Sequence, residues 1–384
     1  MRPVDKIMIV GCGELCGILL EYLCRYPNIG EIVVADINED KIRRKVNSAI
    51  HGASFLDLYP KITYRVVDLL NVEKTAEIIR EINPCIIVNG STLQSWWVVN
   101  ELPPDVNAKL YRHKVGLGAW TAMHLPLVSK LMQAVTKSGI DTHVVNSAFP
   151  DVTNVSLARV GMAPTIGIGN ACLVVPYIRK AAAEQLNIPM RNIKVEFIGH
   201  HYHCYNWARA GKGTDAPFYL RVYDGCTDIT ERLGSMTDFV GSLPKHGARP
   251  GGRGGQYVVA ASIFRNVLDI FFDTHALGMS PAPKGLEGAY PVRLSRAGAE
   301  VVLPAGMTLE EARGLMLQAQ QYDGIEEIRA NGDVKLTPEA GAMLHEELHV
   351  EWDVVTIQDS LEQAHELRAK FLEFLKRHNV EVPM

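Results

Sequence analysis

The spacing of apolar and polar positions predicts alternating strands and helices through the first 150 residues of this 384-residue chain. Lys6-Ile7-Met8-Ile9-Val10 is an apolar run of strand length. It leads straight into Gly11-Cys12-Gly13-Glu14-Leu15-Cys16-Gly17, after which Ile18 to Leu23 repeats with helical spacing. Glu31 to Ala35 is a second strand that delivers Asp36 at its end. A polar helix through Lys41 to Ser48, a strand at Ile62 to Val67 and a helix at Val72 to Ile82 follow. Cys85 to Val88 is a continuous apolar strand ending in Asn89-Gly90, Leu125 to Ser138 a helix, and Thr142 to Val145 a strand ending in Asn146. Fully apolar strands joined by helical crossovers predict a parallel sheet covered on both faces. Such sheets bind ligands at the carboxyl ends of their strands, so Asn89, Gly90 and Ser91 are expected to line a crevice. This first domain is expected to span residues 1–154.

The pattern changes in residues 155–384, which are expected to form a second, α+β domain for substrate binding, catalysis and dimerisation. Pro176 to Leu186 reads as a helix and Ile193 to Ile198 as a strand ending in Gly199. The loop Pro250-Gly251-Gly252-Arg253-Gly254-Gly255 precedes a helix from Tyr257 to Phe272 that is apolar almost all round, which predicts burial in the core or at a subunit interface. Ile325 to Leu336 predicts a hairpin turning at Asn331-Gly332. The final helix is expected to start near Ser360, with Gln363 completing a capping box, and to run to about His378.

Composition narrows the function. Hydrophobic residues make up 47% and charged residues 21%, as in an ordinary globular protein. A net charge of −4 with interspersed signs argues against nucleic acid or an anionic membrane as partner. No segment reaches the ~20 apolar residues of a membrane span. The early first strand leaves no room for a signal peptide, and seven cysteines without zinc-type pair spacing read as reduced thiols, so a cytoplasmic location is expected.

The glycine turn carries the first chemical reading. Strand, glycine turn, helix, strand and terminal Asp form a dinucleotide-binding unit, in which backbone approaches a pyrophosphate at a helix N-terminus. Gly11, Gly13, Glu14, Leu15 and Cys16 would cradle the phosphates, and Cys16, at the third glycine position, is small enough for close helix–strand packing. Asp36 would accept hydrogen bonds from ribose hydroxyls and repel a 2′-phosphate, which favours NAD over NADP. The alternative is a tight turn that binds nothing.

The second reading starts from three histidines within four residues, Gly199-His200-His201-Tyr202-His203-Cys204, directly after a strand. Imidazole exchanges protons near neutrality, so His201, His200 and His203 are candidates for proton transfer coupled to hydride transfer. They could equally hold a divalent metal, or be a surface cluster without a role. The loop around Arg253 is either an anion site or a mobile connector, and Trp96-Trp97 could wall a substrate pocket.

These residues resemble the lactate/malate dehydrogenase superfamily. Asp36-Ile37-Asn38-Glu39-Asp40-Lys41 and His51-Gly52-Ala53-Ser54-Phe55 are similar to that family's second strand and following helix. Gly167 to His201 resembles its glycine–asparagine turn, helix, strand and Gly-x-His. Arg253-Gly254-Gly255-Gln256-Tyr257 resembles its substrate-lining turn, and Pro291-Val292-Arg293, Gly298-Ala299-Glu300-Val301 and Leu309-Glu310-Glu311 extend the match. The resemblance implies a Rossmann domain followed by an α+β domain, NAD, a small-molecule substrate, and a homodimer or higher homo-oligomer. It implies His201 as the proton-transfer residue and Asn146 as a nicotinamide-side residue. The family's orienting Asp and carboxylate-binding Arg fall on Val174 and Tyr177, which points to a polyol or sugar-acid-like substrate bound through Tyr177, Gln256 and Arg253. Arg112 is a stand-in for the family's mobile-loop Arg. The sequence is similar also to the NAD- and metal-dependent glycosidases of the same fold, which implies a second reading with Cys172 and His201 as metal ligands. A non-catalytic NAD sensor is the third.

Overall fold

The computed structural model describes residues 5–381. Its first half is a six-stranded parallel sheet of order β3-β2-β1-β4-β5-β6. The strands are β1 (Lys6–Val10), β2 (Glu31–Asp36), β3 (Lys61–Val66), β4 (Ile86–Asn89), β5 (His143–Asn146) and β6 (Ile166–Gly167). Between them run α1 (Glu14–Leu23), α2 (Glu39–Ser54), α3 (Val72–Ile82), the short α4 (Trp97–Asn100) and α5 (Pro104–Leu110), α6 (Thr121–Ser138) and α7 (Pro150–Arg159). Side chains alternate across the sheet: Met8 and Val10 join the core under α3 and α6, while Ile7 and Ile9 join the core under α1 and α2. The division expected after residue 154 falls inside α7 and ahead of β6, which pairs with β5. Two residues are too few for a strand to announce itself by period.

The second half holds α8 (Val174–Leu186), β7 (Ile193–Ile198), α9 (His201–Tyr205), β8 (Tyr219–Asp224), β9 (Thr227–Asp228), α10 (Met236–Gly247) and α11 (Gln256–Phe271). Then come β10 (Leu277–Pro281), β11 (Ala289–Ser295), β12 (Gly298–Val301), α12 (Leu309–Ala319), β13 (Ile325–Ile328), β14 (Val334–Leu336), α13 (Pro338–Leu348), β15 (Val354–Val355) and α14 (Ser360–Arg377). These strands make three small antiparallel sheets. The hairpin at Asn331-Gly332 forms as expected. Helix α11 packs Val259, Ile263, Val267 and Ile270 into the core against the first domain's α1 side, while Tyr257 and Arg265 face outward. One expectation needs correction. Helix α14 starts at Ser360, but Gln363 bonds the backbone of Thr356 and Val354 and forms no capping box. The chain then returns to the first domain, where α14 packs on α6 and Phe371 meets Trp120 edge-on at 5.0 Å. Among the described residues no helix is long and apolar enough to cross a membrane.

Candidate active site

The glycine turn leaves β1 with Gly11 at φ +83°, where a Cβ would stand 2.6 Å from the backbone nitrogen of Ser91. Only glycine lets the turn lie this close to the end of β4. Cys16 is fully buried against Gly90, so it performs the packing expected of it. Gly13 caps α1 with no side-chain cap, and the space on its Cβ side is open. First-turn amides of α1, at Glu14 and Leu15, therefore stand uncapped, as an incoming pyrophosphate requires. Asp36 closes the turn: it accepts hydrogen bonds from the backbone N–H of Cys12 (2.8 Å) and Asn38 (3.1 Å), with Lys41 Nζ at 3.3 Å.

Asn89 and Asn146 do not face the crevice as expected. Both are fully buried. Asn89 Nδ2 donates to Asn146 Oδ1 (2.9 Å), and Asn146 Nδ2 donates to Thr153 Oγ1 and Asn154 Oδ1, so the two amides staple the ends of β4 and β5 together. Asn89 Oδ1 also accepts from Ser91 Oγ at 2.6 Å. They shape the crevice from behind.

A cleft of about 660 Å³ opens from Leu15 at the head of α1 to the segments around His201 and Asp323. His201 Nδ1 is 2.7 Å from Asp323 Oδ2, which leaves Nε2 for the cleft. The orienting carboxylate missing at Val174 thus arrives from a turn more than a hundred residues later. Asp323 is itself held by the backbone N–H of Leu117 (3.1 Å), and Gly324, at φ +87°, sits so close to the Val115 carbonyl that any side chain would collide. Asp151 accepts a hydrogen bond from the His201 backbone N–H at 3.1 Å and binds Asn170 through its other oxygen. Phe149, in a left-handed conformation (φ +47°), sets its ring edge-on to His201 at 5.1 Å. Burial disfavours the His201 imidazolium, but the charge and hydrogen bond of Asp323 and the charge of Asp151 outweigh it and raise its pKa above the ordinary 6.5. Burial likewise opposes ionisation of Asp323, and the charge and hydrogen bond of His201 reverse it, so its pKa is lowered.

The other two histidines of the cluster are corrected to structural roles. His203 Nδ1 accepts the His200 backbone N–H at 3.0 Å, inside a cluster of Phe197, Trp207 and Phe218 rings, and burial pushes its pKa down to about 4. His200 is buried behind His201, with Nδ1 3.8 Å from Asp323 and no hydrogen-bond partner among the described residues.

The anion-binding residues are also redistributed. Arg253 lies over Trp97 at 4.4 Å and pairs with Glu14 at 3.5 Å, so its guanidinium joins the loop to the first domain. Gln256 is buried at the start of α11 and does not line the cleft. Tyr177 is buried as well, yet it explains the site: its hydroxyl accepts a 2.6 Å hydrogen bond from Arg249 Nε, and Arg249 lines the cleft. A guanidinium thus reaches the cleft from Ala248-Arg249-Pro250, propped by Tyr177. Arg209 joins it: Arg249 Nη1 and Arg209 Nη2 stand 2.6 and 3.5 Å from the point a Cβ on Gly255 would occupy. Neither has a carboxylate partner among the described residues. Arg112 borders the cleft but its guanidinium is engaged by Glu346 and Glu347. Trp96 lines the cleft and Trp97 does not.

Cys172 gathers no metal set with His201: among the described residues no group of three or more His, Cys, Asp or Glu is arranged to hold an ion. Burial first, then the charges of Asp151 and Cys204, push the Cys172 thiol well above its ordinary value, which disfavours the thiolate a metal needs. Sequence reasoning missed Asp323, Arg249, Arg209 and His124. His124, a lone imidazole on the apolar α6, lines the cleft, lies 3.1 Å from Thr92 Oγ1, and is pushed down to about 4 by burial and then by His201. Arg249 stands beside the glycine loop already singled out, and that was the available signal.

Strand order 3-2-1-4-5-6 with a glycine turn after β1 is that of the doubly wound α/β class. The whole fold is that of the lactate and malate dehydrogenases. Lactate dehydrogenase from Cryptosporidium parvum, solved with lactic acid and nicotinamide adenine dinucleotide, is 14% identical with a TM-score of 0.59, the match covering 84% of this chain and 98% of that one. Malate dehydrogenase from the same organism gives 0.59 at 14% identity over 83% and 98%. Malate dehydrogenase from Plasmodium falciparum, solved with NADH, gives 0.55 at 14% identity over 94% and 99%. No family model and no curated protein matches the sequence.

Proposed function

We propose that this chain is an NAD-dependent oxidoreductase that moves hydride to or from a hydroxylated acid of sugar-acid or polyol-like character, with His201 as its acid/base. The observation that carries the reading is the His201–Asp323 pair, 2.7 Å apart, in a cleft that also receives two arginines free of carboxylate partners among the described residues. The uncapped head of α1, the open face of Gly13 and the Asp36 carboxylate fit NAD. When bound, NAD supplies the hydride acceptor or donor. In the oxidative direction His201 Nε2 removes the hydroxyl proton, and Asp323 stabilises the imidazolium that forms. In the reductive direction the same imidazolium returns the proton. Such a positioned group contributes roughly 10²–10⁴-fold in rate. Arg249, braced by Tyr177, and Arg209 hold the substrate carboxylate in forked hydrogen bonds.

The test is NADH formation on a panel of 2-hydroxy acids, aldonic acids, uronic acids and polyols, with and without chelator. Chelator-resistant turnover of a hydroxylated acid supports the reading. Tight NADH binding without turnover of any compound replaces it with the sensor, and chelator-sensitive turnover replaces it with the metal-assisted enzyme. Assembly as a homodimer or higher homo-oligomer is part of the same proposal, supported by Phe55 and Tyr59, 91% and 80% exposed beyond α2. Light scattering decides it.

A further inference from the structure

The cleft extends past the catalytic pair, and what lies there has no use in binding a three-carbon acid. His201 and Asp323 are each followed or preceded by a tyrosine, and these two, Tyr202 and Tyr322, pack against one another at 5.3 Å. The catalytic pair therefore continues into an aromatic pair on the same wall. Lys114 Nζ lies 5.8 Å above the Tyr322 ring. On the other side the loop 211–215 closes on Tyr202, bringing Gly213 against its ring and Lys212 and Asp215 to the cleft. Neither Lys114 nor Lys212 has a carboxylate partner among the described residues, and both line the cleft. Asp215 lines the same wall and adds one negative charge beside Tyr202. The wall thus carries positive charge at two places, Arg209 with Arg249 and Lys114 with Lys212, with hydroxyl-bearing rings along it. A cleft of about 660 Å³ is of the size that encloses drug-sized ligands, so it has room for a nicotinamide and for more than a small acid.

We propose that Lys114 and Lys212, over the Tyr202–Tyr322 pair, form a second anion subsite that takes the distal acid group of an extended, hydroxylated substrate. This rests on the proposed reaction only for its first anion subsite at Arg249. The tyrosine rings accept the carbon faces of the hydroxylated body, as aromatic side chains with polar tips do. The two ammonium groups take a distal carboxylate or phosphate through charge-assisted hydrogen bonds.

The experiment compares three six-carbon probes that share one aldonic end: gluconate, with no second acid; glucarate, with a second carboxylate; and 6-phosphogluconate, with a phosphate. kcat/KM for NADH formation, and calorimetric affinity in the presence of NADH, are measured on the wild type and on the Lys114→Gln, Lys212→Gln double variant. The wild type is expected to prefer one of the two dianions over gluconate by about tenfold or more, and the variant to lose most of that ratio. Which dianion is preferred identifies the distal group as carboxylate or phosphate. Equal use of gluconate, a preference that survives the double substitution, or binding of none of the three overturns the subsite. Turnover without dianion preference leaves the proposed reaction standing. Lysine-dependent dianion binding without hydride transfer on any compound overturns the reaction and leaves the subsite. A thermal unfolding scan of the variant separates loss of contact from loss of fold.

Discussion

The two sides of the cleft are built by opposite means. On the proposed nucleotide side one continuous stretch, Gly11 to Asp36, presents uncapped backbone amides and the Asp36 carboxylate at its end. On the proposed substrate side, His201, Asp323, Arg249 and Lys114 reach the cleft from four separate segments, and in the proposed reaction each acts through the tip of its side chain. Where backbone does the binding, a substitution is felt only through an added Cβ or a disallowed φ. Where side-chain tips do it, removing one atom removes the function.

The largest effect tests that contrast at its centre. His201→Ala is expected to lower turnover by roughly 10²–10⁴-fold and to leave NADH affinity nearly intact. Stopped-flow turnover and NADH fluorescence titration measure the two. Loss of both together would merge the two sides into one unit and break the comparison.

Asp323→Asn is next, with turnover down roughly 10²-fold, because the imidazole loses both its orientation and the charge that stabilises its protonated form. The pH profile carries the sign. His201 is raised above 6.5 chiefly because Asp323 overcomes burial, so oxidation, which needs neutral imidazole, rises as pH climbs through that raised pKa. Reduction needs imidazolium and falls over the same range. Without the carboxylate charge, burial prevails and both limbs move to lower pH. A profile that stays in place would remove Asp323 from the argument and leave Asp151 as the controlling charge.

The same contrast decides what could be read in the sequence. The glycine turn, Asp36 and the order of strands and helices were legible because each is a local pattern of a few residues with one physical meaning. His201 was legible from its place at a strand end, but His200 and His203 looked identical to it. Only the fold separates a histidine facing the cleft from one buried behind it and one that caps the turn from inside an aromatic cluster. Asp323 reads locally as a helix-end turn before Gly324, and nothing near it in the chain says that a histidine 122 positions earlier needs a carboxylate. Tyr177 was read as a substitution that abolishes a carboxylate clamp. In the structure its hydroxyl holds a guanidinium instead, that of Arg249, across 72 positions. Asn89 and Asn146 failed in the other direction: their strand-end position was right, and the hydrogen bond between them turned both away from the crevice.

The Arg249–Tyr177 pair gives a prediction of intermediate size. Arg249→Ala is expected to raise KM for the acid substrate by about tenfold or more, while Tyr177→Phe, which removes only the 2.6 Å bond to Nε, costs about 1–2 kcal/mol of the same binding. Steady-state KM values for the two variants test the order. Equal losses would mean that the phenol itself binds substrate, and no loss in Tyr177→Phe would mean that the Gly255 carbonyl alone holds the guanidinium.

The smallest expected effect comes from the nucleotide side. Gly13 faces open space, so Gly13→Ala meets nothing in the protein and costs about 1 kcal/mol or less in stability, chiefly as a poorer helix cap. The added methyl points into the space where pyrophosphate would approach the α1 amides, and a weakening of NADH binding by several-fold is expected with kcat little changed. Gly11→Ala is its control. At φ +83°, with Ser91 backbone 2.6 Å from the new Cβ, it is expected to destabilise the fold by about 1–3 kcal/mol. Thermal unfolding beside NADH titration separates the two glycines. One is kept for the turn and the other for the ligand, and a Gly13→Ala variant with unchanged NADH affinity would put the cofactor somewhere other than the head of α1.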